Sequence, residues 1–147
     1  MKKRMAFKIL LKNDIRVTNQ RLQILSQVLS KQKVFSVQDI LKGLTPSENI
    51  NLATVYRFIA LLKEKRVISE VIKIDDTQYF CVYNTEDYHQ HLVCEKCHNV
   101  SCTFDFSELE VLRDYKSYDD FSIREISILM RGICAKCLRK SALNERK

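Results

Sequence analysis

Two glycines and one proline are all that the 147 residues contain, and tryptophan is absent. So little glycine excludes a Gly-rich phosphate loop of the P-loop or dinucleotide-binding kind, and so little of both excludes a low-complexity or disordered chain. Long apolar runs are missing too: no window approaches the roughly 18 residues that a membrane span requires. The opening MKKRMAFKILLKNDIRV has the charge of a signal-peptide n-region, but its apolar stretch is short, broken by Lys8 and Lys12, and has no A-x-A site. The expected setting is the cytoplasm, with no membrane partner. Catalytic signatures are lacking as well. H-Q-H precedes C-E-K-C where a zinc deaminase needs H-x-E and P-C-x-x-C, and neither H-E-x-x-H nor G-x-S-x-G occurs. A non-enzyme without a small-molecule substrate is expected.

What is present is unevenly divided. Residues 1–83 carry 15 Lys and Arg against 7 Asp and Glu, a net of +8, whereas residues 84–147 carry 10 against 11, a net of −1. Cysteine runs the other way, with Cys81 in the first part and Cys94, Cys97, Cys102, Cys134 and Cys137 in the second. In a reducing compartment six cysteines read as metal ligands or redox thiols rather than disulfides. The division predicts two lobes, 1–83 meeting a polyanion and 84–147 holding metal.

In the basic lobe, Thr18 can cap a helix with Leu22, Ile24, Leu25, Val28 and Leu29 at helical spacing. Ser36 opens S-V-Q-D, the start of a short helix through Leu41 that ends near Gly43. Asn51 or Asn49 caps a third, with Leu52, Val55, Ile59 and Leu62 as its inner stripe. Two strand-like runs, VISEVIKI and TQYFCVY, follow around the turn Asp75-Asp76. Helices followed by a β-hairpin is the order of a winged helix-turn-helix, whose last helix enters the major groove of DNA. Thr54, Tyr56 and Arg57 face outward on that helix, Tyr56 suited to thymine methyls and Arg57 to guanine edges or phosphate. Arg16 and Arg21, with Lys2, Lys3, Arg4, Lys8 and Lys12, supply candidate phosphate contacts. The plainer alternative is that Tyr56 covers the core edge and the cations form a solvated face. Concentration of the charge in one lobe favours a nucleic-acid surface.

In the second lobe, C-E-K-C at 94–97 and C-A-K-C at 134–137 form two knuckles, each presenting two thiolates from one turn. Cys94, Cys97, Cys134 and Cys137 would complete a closed tetrahedral site, so its zinc would be structural. The 36 residues between Cys97 and Cys134 predict an inserted subdomain. It reads as a strand at Val100–Phe104, a helix opened at Ser107–Glu110, and a strand at Ser122–Leu129. A thioredoxin-like redox pair or loose thiols are the competing readings. His89 and His91 stand at i, i+2, which on a strand puts both imidazoles on one face. With Cys81 and Cys102 they would make a mixed set of two nitrogens and two sulfurs, whose thiolates favour zinc over iron or manganese. Against this, a lone cysteine on a strand is most often a small buried hydrophobe.

Taken in order, R-V-T-N-Q-R at 16–21, N-L-A-T-V-Y-R at 51–57, H-x-H-x-x-C-x-x-C and the closing C-A-K-C resemble the ferric uptake regulator (Fur) superfamily of bacterial metal-dependent repressors. The resemblance spans nearly the whole chain. It implies an α+β homodimer, with an N-terminal winged helix-turn-helix and a small C-terminal α/β dimerisation domain that holds a four-cysteine structural zinc. It also implies that Tyr56 and Arg57 are the base-contacting pair.

Departures from the family pattern bear on the sensed metal. The family's H-H-D-H-L reads Tyr88-His89-Gln90-His91-Leu92, so two ligands of its accessory site are missing. The His that iron and peroxide sensors carry before their S-A-E-E segment is replaced by Lys33 or Val34, which disfavours an iron-dependent peroxide sensor. Cys81 stands where ferric-type regulators place Glu, which looks like the zinc uptake regulator (Zur) branch. That branch implies a sensory site of Cys81, His89 and His91 completed by an acid or His further back, for which Glu70 is the candidate. Cys102, at a position usually Glu in the family, is an alternative fourth ligand or a core residue. The expected function is a zinc-corepressed, dimeric repressor at a pseudo-palindromic double-stranded DNA operator. A ferrous-iron regulator of the same fold and a redox-switched zinc protein are the rivals.

Overall fold

The computed structural model describes residues 1–31, 34–46, 49–82, 90–103, 117–118, 120–123 and 126–144. It divides into two compact units, Met1–Tyr83 and Asn84–Lys147.

The first unit opens with α1 (Lys2–Lys12), a helix that its lysine-rich sequence disguises as a targeting segment. Its buried face is narrow: Ala6 and Leu10, one turn apart, enter the core fully, and Ile9 packs beside them. The next helix, α2 (Asn19–Ser30), begins where expected, with Thr18 Oγ1 accepting from the Arg21 N–H at 3.3 Å. β1 (Val34–Ser36) leads directly into α3 (Val37–Gly43). Ser36 and Asp39 form a reciprocal capping box, the Ser36 N–H donating to Asp39 Oδ2 at 2.8 Å and the Asp39 N–H to Ser36 Oγ at 3.3 Å. Burial pushes the Asp39 carboxyl upward, but the Ser36 donors, with Lys31 and Lys42 nearby, outweigh it and hold the group below its ordinary value.

Asn51, rather than Asn49, caps α4 (Leu52–Glu64) through a 2.8 Å bond from the Thr54 N–H. Scarcity of glycine shows at the end of that helix, where Arg66 takes a left-handed φ of 55°. The Val67 N–H then reaches back to Leu62 O at 2.8 Å, closing the helix as a Schellman turn. β2 (Ile68–Ile74) and β3 (Thr77–Val82) make the wing, and β1 adds to it in the order β1-β3-β2, all antiparallel. β1 is too short to declare itself in the sequence.

Phe35, Leu25, Ile24, Val28, Ile40, Val55, Leu62 and Phe80 lie in one core, with the Phe35 and Phe80 rings 6.0 Å apart. Phe35 is fully buried. Phe35→Ala should therefore cost about 3–5 kcal/mol of stability. Urea unfolding of the full chain measures it, and a loss below about 1 kcal/mol would mean that the site collapses around the missing ring.

In the second unit β4 (Gln90–Cys94) is the central strand, antiparallel to β5 (Val100–Thr103) and parallel to β8 (Ile128–Gly132). A two-stranded piece, β6 (Ser117–Tyr118) with β7 (Phe121–Ser122), and a final helix α5 (Ala135–Asn144) complete the described elements. The single strand expected at Ser122–Leu129 is instead two: β7 ends at Ser122, and β8 starts at Ile128 and continues to Gly132. Pairing with β4 is the reason, since Cys94 needs Gly132 as its register partner. The helix expected at Ser107–Glu110 lies outside the described residues.

Candidate metal centre and nucleic-acid face

Cys94 is the last residue of β4, and Cys97 follows within the turn that joins β4 to β5. His98 closes this turn in the left-handed region, φ 56°, its N–H donating to Cys94 O at 2.9 Å. β8 brings the second knuckle alongside: the Glu95 N–H donates to Gly132 O at 2.8 Å, and Cys134 follows two residues later, just before α5. Cys137 sits in the first turn of α5. The four ligand sulfurs all lie within 4.8 Å of one another, with Cys97 and Cys134 at 3.7 Å. Tetrahedral zinc with bonds of about 2.3 Å requires sulfurs about 3.8 Å apart, so this donor set fits zinc and leaves no open position. Lys96 Nζ donates to Ser141 Oγ at 2.6 Å and that hydroxyl donates to Cys137 O at 3.1 Å, tying the first knuckle to α5.

Backbone donors act on the sulfurs. The Cys134 N–H, 3.3 Å from Cys94 Sγ, and the Cys97 N–H lower the Cys94 thiol to about 6. Cys134 is lowered too, first by the Cys137 N–H. Cys137 is pushed up to about 12, first by its hydrogen bond with the Cys134 sulfur. Four thiolates this close repel one another unless a cation replaces the protons they share.

Of the other candidate ligands, His91 and Cys102 are direct cross-strand partners on β4 and β5, both buried, with ligand atoms within 4.8 Å of each other. Their face of the sheet is opposite to that of Leu92, because neighbouring residues on a strand point to opposite sides. His89 lies outside the described residues. In the first unit Cys81 is buried on β3, opposite Ser69 on β2. Glu70, one residue on, is opposite Phe80 and so points to the other face of the hairpin from Cys81. There its carboxylate pairs with Lys63 of α4, and Gln78 Nε2 donates to it at 3.5 Å. Nothing in the sequence signals this engagement.

Tyr56 and Arg57 are exposed on α4, Tyr56 at 47%. Thr54 is half-buried, and its hydroxyl donates to Asn51 Oδ1 at 2.8 Å, so it serves the helix cap. Arg16 is exposed, and its carbonyl accepts from Arg21 Nη1 at 2.8 Å, while the Arg21 guanidinium lies 5.8 Å from the centre of the Phe58 ring. Arg21, expected among the phosphate contacts, thus also braces the loop that presents Arg16.

The sequence profile described as the Ferric uptake regulator family matches residues 12–131. The peroxide-responsive repressor PerR of Staphylococcus aureus (strain Mu50) is 29% identical over 128 residues, 86% of this chain and 84% of that protein. The Vibrio cholerae ferric uptake regulator superposes with a TM-score of 0.65 at 23% identity, over 86% of this chain and 98% of that one. A zinc uptake regulator complexed with zinc and DNA superposes at 0.61, also at 23% identity, over 95% of each chain. At these identities the two structures show a shared fold.

Proposed function

Because the chain belongs to the ferric uptake regulator family, whose members are metal-responsive transcription regulators and not enzymes, we propose that it is a zinc-responsive repressor of the zinc uptake regulator type. The observation that carries the zinc assignment is the buried His91–Cys102 pair, a nitrogen and a sulfur donor directly opposed across two strands. Thiolate in a ligand set favours zinc over ferrous iron, which is better served by nitrogen and oxygen. The sensory set on this reading is Cys81 of the wing with His89, His91 and Cys102. Cys102 takes the fourth place in preference to Glu70, which faces away from Cys81 and is engaged by Lys63. Cys94, Cys97, Cys134 and Cys137 hold the structural zinc.

Zinc held by Cys81, His89, His91 and Cys102 would tie the wing to ligands of residues 84–147. Arg16, Tyr56 and Arg57 then meet operator DNA, Tyr56 and Arg57 at base edges and Arg16 at phosphate. Thr54 orders the first turn of the helix that carries them. Metal and DNA raise each other's affinity by the same factor. The working unit is a homodimer, whose two recognition helices match a pseudo-palindrome with half-sites about one DNA turn apart. Support for the dimer comes from the sheet face opposite His91. Leu92 and Met130 are register partners there, each 38% exposed, and with Ile133 they border an apolar cavity of about 200 Å³. Apolar side chains exposed side by side on a sheet face suit an interface between two copies.

The test begins by selecting a site from a random duplex pool with zinc-loaded protein. DNA affinity and metal per chain are then measured after mild chelation and after re-addition of zinc or ferrous iron. One retained zinc, and a second that is lost and regained together with DNA binding, supports a zinc repressor. Restoration by iron alone assigns an iron regulator, and control by peroxide rather than by chelation assigns a redox-switched protein.

A further inference from the structure

We propose that the cleft between the wing and α4 seats one backbone phosphate of bound DNA, with Lys73 as its cation. The inference rests on the DNA-binding reading above and adds a contact to it. The cleft encloses about 230 Å³ and is bordered by Gln38 of α3, Tyr56 of α4, and Lys73, Asp76, Thr77 and Gln78 of the wing.

Three observations carry it. First, the border carries a cation and groups able to donate: the Lys73 ammonium, the Tyr56 phenol, the Gln38 amide and the Thr77 hydroxyl line one space, while the Gln78 amide donates to Glu70. A phosphodiester offers acceptor oxygens and a negative charge, which an exposed ammonium flanked by neutral donors complements. Second, the cation is available. Lys73 is exposed, and among the described residues the recorded ion pair is that of Lys63 with Glu70, leaving Lys73 with no carboxylate partner. Lys73 and Gln78 are register partners across the wing, so both side chains stand on the same face. Third, the size fits. A water occupies about 30 Å³ of liquid, so the space admits one phosphate group with a few waters and no stacked base pair.

Placement gives the contact its use. Tyr56 forms one wall of the cleft while belonging to the helix assigned to base edges. A phosphate held by Lys73 would therefore fix the register of that helix along the groove without itself reading sequence. Asp76, the one acid on the border, opposes an anion and limits the affinity.

The experiment uses the full-length, zinc-loaded protein and a mixed-sequence duplex of about 30 base pairs, long enough for two half-sites one helical turn apart. Affinity is followed by fluorescence anisotropy across a salt series. Lys73→Gln is expected to reduce the slope of log K against log salt by about 0.9 per bound chain. Lys73→Arg should restore the wild-type slope, and Asp76→Asn should tighten binding at low salt. Lys65→Gln, an exposed charge outside the cleft, controls for net charge. A wild-type slope in Lys73→Gln, or an equal loss in Lys65→Gln, overturns the phosphate seat while leaving DNA binding intact. Absence of duplex binding by the wild type overturns the repressor reading itself.

Discussion

Chelation strong enough to strip the four-cysteine cluster, or replacement of Cys134 by serine, is expected to unfold the second unit and leave the first folded. The asymmetry follows from where apolar burial lies. The principal core cluster belongs wholly to the first unit, whereas the buried residues described in the second are Gln90, His91, Val93, Cys94 and Cys102. Among the described residues the second unit buries little apolar surface, and structural zinc supplies about 10–16 kcal/mol of apparent binding energy at neutral pH in small zinc domains. Loss of one thiolate removes a large share of that. The measurement is thermal unfolding by circular dichroism with and without chelator, read beside amide exchange assigned to each unit. Protection lost in β4, β5 and β8 but kept in α2 and α4 is the expected pattern. Equal protection in both units after zinc removal would falsify a structural role for the cluster.

The same experiment has a pH arm whose sign is set by the sulfurs. Zinc displaces thiol protons, so retention weakens as pH falls. The Cys94 thiol, lowered to about 6 by the backbone donors of Cys134 and Cys97, yields its proton readily. In the zinc-free chain a lowered group stabilises the fold fully only above its unfolded value near 9, and that contribution fades as pH falls through about 6. Zinc loss is expected to accelerate on acidification, because protons compete with the metal for the four thiolates. A rate independent of pH between about 5 and 8 would contradict the thiolate assignment.

What the sequence makes legible is what local chemistry decides. Thr18, Ser36 and Asn51 each announce a helix start, because a cap needs only a side chain and an N–H three residues on. The two C-x-x-C knuckles are legible for the same reason: each is one turn, and the pair implies the approach that places four sulfurs within 4.8 Å. Features that depend on the partner segment are hidden. In α1 the five cations among residues 2–12 obscure an apolar face reduced to Ala6, Ile9 and Leu10, which becomes a helix face only against α2 and the core. The limits of β8 depend on its pairing with β4, and nothing between Ser122 and Gly132 marks them. The Lys63–Glu70 ion pair joins a helix to a strand, so Glu70 reads in the sequence as a spare carboxylate.

Cys102→Ser is expected to abolish the metal response, whereas Glu70→Gln is expected to preserve it. Both residues are candidates for the fourth sensory ligand by sequence, and the strand registers separate them. Cys102 stands across from His91 with their ligand atoms within 4.8 Å, so one ion can reach both without moving either strand. Glu70 is opposite Phe80, and alternation turns it away from Cys81, towards Lys63. A direct ligand's loss should weaken zinc binding at the sensory site by more than the roughly 10–100-fold typical of an outer-shell partner. DNA binding would then no longer respond to zinc in the buffered range where the wild type does. Glu70→Gln loses only a partly exposed ion pair, worth about 0–1 kcal/mol, and keeps an acceptor for Lys63. Its zinc affinity should match the wild type, with at most a small loss of stability. Competition against a zinc-buffering dye, run on both variants with the four-cysteine cluster loaded, reads the two affinities directly. The opposite result, a silent Cys102→Ser and a zinc-blind Glu70→Gln, would require the wing to rearrange so that Glu70 leaves Lys63 and crosses to the face of Cys81. Lys63→Ala would then strengthen the zinc response by freeing the carboxylate, which the present reading does not expect.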